Sequence, residues 1–362
     1  MKYIAEIFTK LKRKPTNLLL LGFRSSRYAL FGATFFCITS SVHAADTIRP
    51  APKLVTSVHP VQMIVSAISH GISKPSVLVP PGATPHEYSL KPSNVRNISQ
   101  ANALFWVGPS LETFLGKTLQ RFAKNPDLTV VPLIASKGLQ LIDLKHGHHH
   151  TIDSTNEPTA SDEHGQEVEH TDHDEHGDEN ADHIQHLAQN WDPHIWLNPI
   201  NALAMATEIT KVLSNIDPNH AEQYRKNLTK FEQRTNQLDH QLEQLLTPLN
   251  SQGYFVFHDG YSYFEQRYGL SRLGEFSVNE SKPSVKKMIS IQSTIQQGNA
   301  VCVFSEPQFN RALIDAVTRG TKVGVAVLDP LGDIYSYSDA ESEHYFEFMQ
   351  QFSKLFADCL SG

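Results

Sequence analysis

Residues 253–278 read GYFVFHDGYSYFEQRYGLSRLGEFSV. GYFVFHDG is an apolar run rich in aromatic and β-branched residues, and predicts a strand. YSYFEQRYG has helical character and stops at Gly269. SRLGEFSV predicts a second strand. Two strands separated by a helix pair in parallel, which places this region in an α/β layer.

The same alternation continues downstream. KPSVKKMISIQSTIQQG is a helix and NAVCVFSE a buried strand. FNRALIDAVTRG is a helix and TKVGVAVLDP a strand, and HYFEFMQQFSKLFADCL closes the chain as an amphipathic helix. Upstream, Asp217 and Pro218 open a long polar helix to about Leu246, with one modest apolar stripe: Leu228, Phe231, Leu238, Leu242 and Leu245. At 1.5 Å per residue it spans on the order of 45 Å, enough to run across two lobes.

A second α/β pattern precedes that helix. Lys53 to Val58 is a strand, and Pro60 opens a helix through Ile68. PSVLVPPG is a strand, SNVRNISQA a short helix, NALFWVG a strand, LETFLGKTLQRF a helix and LTVVPL a strand. In WDPHIWLNP, Asn198 caps a helix whose first residue is Pro199. The expected fold is therefore α/β, with two Rossmann-like lobes of parallel sheet joined by a long rigid helix and a metal cleft between them. The boundaries are a signal peptide at 1–45, an N-terminal lobe at 46–216, a connecting helix at 217–248 and a C-terminal lobe at 249–362.

Two segments stand outside this pattern. Lys10, Lys12, Arg13, Lys14, Arg24 and Arg27 precede the apolar run YALFGATFFCIT and then SSVHAAD. That order is an export signal cut after Ala44 or Ala45, and its apolar run is about half the roughly 20 residues of a membrane span. The second segment, an insertion at 145–190, has no periodicity and cannot bury a core. Between 146 and 186 it carries ten of the nineteen histidines (His146, His148, His149, His150, His164, His170, His173, His176, His183 and His186) among twelve acidic residues. It reads as an accessory metal-capture segment, with a solubilising linker as the alternative.

After signal removal two cysteines remain, Cys302 and Cys359. An even pair in an exported chain reads as one disulfide. It would close a loop of 57 residues, worth roughly 4 kcal/mol on the chain-entropy model. Two buried free thiols, or a thiolate metal pair, are the alternatives. The net charge of -7 and the absence of a basic patch argue against a nucleic-acid partner.

Four polar residues fall at strand ends: His86 in VPPGATPHEYSLKPS, His194 in WDPHIWLNP, His258 in YFVFHDG and Asp329 in GVAVLDP. Two come from each lobe, and ligands in such sheets sit beyond the carboxyl ends of strands. Three neutral imidazoles and a carboxylate suit tetrahedral Zn2+. His59, in SVHPV, also ends a strand but reads as structural. Glu306, in SEPQF, either helps position the site, contacts a partner, or is a buried carboxylate paired within its lobe. Tyr261, Tyr263 and Phe264 form cleft wall or core.

The motifs PGATPHEYSLKPS, WVGPSLE, DPHIWLNP, GYFVFHDGYSYFEQRYGL, FSEPQFN and VLDPLG, spread over nearly all of the mature chain, resemble the zinc solute-binding proteins of bacterial high-affinity ABC importers. The resemblance implies a periplasmic, monomeric receptor rather than an enzyme, with a zinc ion as cargo and a membrane ABC permease as partner. It maps the metal ligands onto His86, His194 and His258. Manganese-binding relatives place Glu at the third position, so His258 favours zinc. It also implies the Cys302–Cys359 bridge and the rigid helix. Some zinc members carry an acid just before the first ligand, where this chain has Pro85. The fourth ligand is then Asp329, water or Glu87, with Asp329 preferred. An exported zinc enzyme is the alternative class, but the sequence holds no H-E-x-x-H and no Gly-x-Ser-x-Gly. A metal buffer working through the insertion alone is the third.

Overall fold

The structure, a computed structural model, describes residues 50–144, 191–277 and 283–362. The expected export signal and the histidines of the 146–186 segment lie outside the described residues. The first sheet contains β1 (Leu54–Thr56), β2 (Ser76–Val77), β3 (Ala103–Trp106) and β4 (Thr129–Pro132), in the order β2-β1-β3-β4. The second contains β5 (Tyr254–His258), β6 (Arg272–Ser277), β7 (Cys302–Ser305) and β8 (Gly324–Val327), in the order β6-β5-β7-β8. Every pairing is parallel. Two lobes thus share one topology, and in each the first strand lies where the strand order reverses.

Helices cover both faces of each sheet, as parallel sheets require. In the first lobe these are α1 (His59–Ile68), α2 (Pro92–Ser99), α3 (Gly116–Phe122) and α4 (Pro199–Ile216). The long helix α5 spans Ala221–Leu246. The second lobe adds α6 (Ser262–Tyr268), α7 (Val285–Gln296), α8 (Ala312–Thr318) and α9 (His344–Ser361). No helix of the described residues is long and apolar enough to cross a membrane.

Strand side chains alternate between faces, and the alternation builds three cores. Phe255 and Phe257 pack with Val303, Ile291 and Ile314 on one side of the second sheet. Val55, Leu104 and Trp106 pack with Ile98 and Leu115 on one side of the first. The opposite faces, Ala103 and Phe105 in one lobe and Tyr254, Val256 and Phe304 in the other, join a single cluster with α1, α4, α5 and α9. The lobes therefore share one continuous apolar core.

Helix α5 is fastened at both ends. Asn227 Nδ2 donates to the carbonyls of Ile68 (2.8 Å) and His70 (3.0 Å) at the end of α1. Asp239 accepts from Arg267 Nε at 2.9 Å and from the Tyr268 hydroxyl at 3.2 Å, in the second lobe. Its buried face is Tyr224, Phe231, Leu238, Leu242 and Leu246. Leu245, expected on that stripe, is 40% exposed. A 3.6-residue turn carries strict heptad spacing away from the buried face, and Leu246 takes its place. At 26 residues the helix is about 39 Å long.

Cys359 on α9 is disulfide-bonded to Cys302 on β7, with the Cα atoms 5.8 Å apart. The bridge pins the last helix to a central strand. One helix starts later than its sequence suggests: α3 begins at Gly116, not near Leu111. The Glu112 carboxylate accepts the backbone N–H groups of Val107 (3.0 Å) and Gly108 (2.9 Å). That folds 108–115 into turns with Leu111 and Leu115 buried.

Candidate metal centre

His258 is the last residue of β5, and β5 lies beside β7 at the reversal point of the second sheet. Glu306 directly follows β7, so the strand pairing sets it next to His258. His258 Nδ1–H donates to Glu306 Oε1 at 2.6 Å, and the His258 backbone N–H reaches the same oxygen at 3.3 Å. Both side chains are buried. Of the roles open to Glu306, the structure shows pairing with His258 inside its own lobe.

His194 enters from the first lobe, in the tight segment between Asp192 and α4. Asn198 Oδ1 accepts from Ile200 N (2.9 Å) and Pro199 opens α4, so the helix start fixes the residues just ahead of it. Asp192 Oδ1 accepts from both the His194 backbone N–H (2.9 Å) and His194 Nδ1–H (2.8 Å). Asp192 is the residue that sequence reasoning missed. Its signal was present, an acid two residues before a candidate ligand, which is the spacing of a side-chain cap on the turn.

These two bonds fix the ring orientation. A carboxylate accepts, so each Nδ1 carries a proton and Nε2 is the nitrogen of each ring left to bind a metal. The two Nε2 atoms lie 3.3 Å apart. Two nitrogens bound to one tetrahedral zinc at about 2.0–2.1 Å would stand about 3.3–3.4 Å apart. Two lone pairs at that separation repel unless an electrophile sits between them, and the spacing fits a metal ion.

His86 completes the group. It lies on the loop from β2 to α2, after Pro80, Pro81 and Gly82, which turns with φ +77. Its ring centroid is 5.6 Å from that of His194 and 6.1 Å from that of His258. One ring nitrogen from each of His86, His194 and His258 falls within 4.8 Å of the others. Burial, together with the two neighbouring imidazoles, lowers the His86 pKa to about 3. The ring is therefore neutral, as a ligand must be. His194 and His258 are buried and His86 partly so, which leaves the loop side as the approach.

Asp329 is not in this group. It lies two residues past the end of β8, and its carboxylate holds the following turn. Oδ1 accepts from Leu331 N (3.0 Å), and Oδ2 accepts from Asp333 N (2.6 Å) and Ile334 N (3.1 Å). Short polar side chains after a strand commonly cap the turn in this way. Glu87 is exposed and also outside the group. His59 Nδ1 lies 3.1 Å from Asp333 Oδ1, whose other oxygen accepts from Gly82 N at 2.9 Å. His59 thus contributes to a lobe-to-lobe contact beside the His86 loop, not to the histidine group.

The cleft walls are braced across the lobes. The Tyr263 hydroxyl donates to the Asp192 carbonyl (2.8 Å) and accepts from Ile142 N (3.2 Å). Trp196 Nε1 donates to the Pro330 carbonyl at 2.8 Å. Tyr261 is buried beside His258, with ring centroids 5.8 Å apart, and Phe264 is core. Gly260 is required at its position: a Cβ there would lie 2.3 Å from His258 Nε2.

The chain is similar to known zinc-uptake proteins. Residues 54–359 match the family described as zinc-uptake complex component A, periplasmic. The high-affinity zinc uptake system protein ZnuA of Yersinia pestis is 36% identical over 316 residues, covering 85% of this chain and 91% of the relative. The crystal structure of a zinc-bound ZnuA deletion mutant superposes with a TM-score of 0.62 at 25% identity, covering 84% of this chain and 98% of the other. The periplasmic zinc-binding protein TroA of Treponema pallidum shares the fold, with a TM-score of 0.67 at 17% identity over 86% of this chain and 99% of its own. The chain belongs to the ZnuA family of periplasmic zinc-uptake components.

Proposed function

We propose that this protein is an extracytoplasmic receptor that holds one Zn2+ through His86, His194 and His258 and delivers it to the membrane permease of an ABC importer. The observation that carries the reading is the pair of Nε2 atoms 3.3 Å apart, each ring oriented from behind by its own carboxylate. Three imidazole nitrogens favour zinc over harder ions such as manganese, which prefer oxygen. The same arrangement argues for carriage over catalysis. A zinc hydrolase needs a general base beside the metal water, and here both nearby carboxylates are committed to histidine Nδ1–H groups.

The shared core and the doubly fastened α5 oppose a wide hinge motion. Loading and release then proceed through the His86 loop and a modest tilt of the lobes. The chain works as a monomer after its export signal is removed. The histidines of 146–186 gather zinc as an accessory, because fixing a chain without apolar anchors costs about 1–2 kcal/mol of backbone entropy per residue.

Isothermal titration with zinc tests this reading. The mature chain should show one tight site plus several weaker ones. His194→Ala should lose the tight site, and deletion of 146–186 should remove only the weaker ones. Loss of the tight site on that deletion would transfer the function to the insertion and overturn the proposal.

A further inference from the structure

We infer that Gln308 is the specificity-determining residue for the fourth coordination position, which it fills indirectly by accepting a hydrogen bond from a zinc-bound water. This rests on the three-histidine zinc site proposed above. Gln308 lines the same small pocket as His86, His194 and His258, between Glu306 and the Pro330–Leu331 turn. Its Nε2 donates to Asp329 Oδ1 at 3.3 Å. That bond fixes the amide, since the flipped amide would set oxygen against oxygen. Among the described residues, its Oε1 is a buried oxygen with no hydrogen-bond partner. Buried acceptors are rarely left unpaired, and one on a residue that lines a ligand pocket has a functional explanation at hand.

The chemistry of the donor set fits this role. Three imidazoles leave a tetrahedral zinc one ligand short, and water is the usual completion. Zinc polarises that water into a strong donor, which needs an acceptor in the pocket. The nearby carboxylates are already engaged. Glu306 and Asp192 are bound to His258 and His194, and Asp329 holds the turn at Leu331, Asp333 and Ile334. An amide oxygen is neutral and accepts without drawing off the proton. The water therefore stays neutral and exchangeable, and the site stays one that a downstream acceptor can empty. Asp329 enters as the group that holds Gln308, not as a ligand.

The test uses the mature full chain, loaded with zinc by chelator competition and with cobalt(II) for its visible spectrum. Gln308→Leu should weaken zinc about 10–100-fold, the usual cost of losing a partner to the metal's ligand shell, and should shift the cobalt band. Gln308→Glu supplies a harder, anionic oxygen at the same reach. It should shift the band and raise manganese affinity relative to zinc. Zinc affinity within twofold of wild type in Gln308→Leu, with an unchanged cobalt band, overturns the inference. If Gln308→Leu does not fold, an unchanged band and metal preference in Gln308→Glu overturns it equally. His194→Ala run in parallel separates the two layers: retained zinc there refutes the three-histidine site, whereas loss there with a silent Gln308 refutes only this inference.

Discussion

Gly260→Ala isolates the metal site from the fold. The added Cβ would lie 2.3 Å from His258 Nε2, 2.7 Å from Cε1 and 3.1 Å from Cδ2. Ordinary carbon contacts begin near 3.5 Å, so the imidazole must retreat by about 1 Å. The backbone is not the obstacle, because Gly260 does not occupy the left-handed region and the clash is with a side chain. Metal–ligand distances tolerate only about 0.2 Å. The retreat therefore removes Nε2 from its 3.3 Å relation to His194 and strains the 2.6 Å bond to Glu306. Losing a ligand's hydrogen-bond partner costs about 10–100-fold in affinity. Losing the ligand itself should cost at least about 100-fold, or roughly 2.7 kcal/mol. The assay is zinc titration against a chelating indicator, with melting of the metal-free protein as the control for folding. Gly253→Ala is the contrast: its Cβ would meet the Asn299 backbone carbonyl at 2.4 Å, so it should lower the melting temperature. Zinc binding by Gly260→Ala within twofold of wild type would refute the reasoning.

Asp192→Asn and Glu306→Gln should each weaken zinc about 10–100-fold by freeing the ring that they orient, while the metal-free melting temperature changes little; equal affinity in chelator competition would contradict this. Cys302→Ser with Cys359→Ser should cost about 4 kcal/mol of stability in denaturant unfolding and leave zinc affinity intact, since Cys302 opens β7 at the end opposite Glu306. Burial raises the Glu112 carboxyl to about 7, above its ordinary 4.5. The folded state then holds a proton that the unfolded state has released, so this contribution is full below about pH 4.5 and is lost as pH rises to about 7. Glu112→Gln should remove up to about 3 kcal/mol of that pH dependence, and parallel urea profiles for the two proteins from pH 4.5 to 7 would oppose it.

The βαβ rhythm was legible because each strand is a continuous apolar run between two covered faces, as in YFVF and CVFS. Of the three histidines expected at strand ends, only His258 ends one; His86 lies on the loop well past β2 and His194 in the turn ahead of α4. What lay beyond reach were contacts between residues distant in sequence. Glu306 meets His258 only because β5 and β7 are neighbours. Asp329 shows the converse. Its place just past a strand was readable, but the three backbone N–H groups that occupy its carboxylate were not. The stop of the α5 stripe at Leu246, and the late start of α3 behind Glu112, were likewise decided by tertiary packing over local pattern.

The central claim is that one zinc ion sits among three histidines drawn from both lobes. Anomalous diffraction at the zinc absorption edge, from crystals of the zinc-loaded mature chain, tests it directly. One strong peak about 2.0–2.1 Å from a ring nitrogen of each of His86, His194 and His258 is the predicted result. A peak coordinated by other residues, or none within reach of His194 and His258, would contradict it.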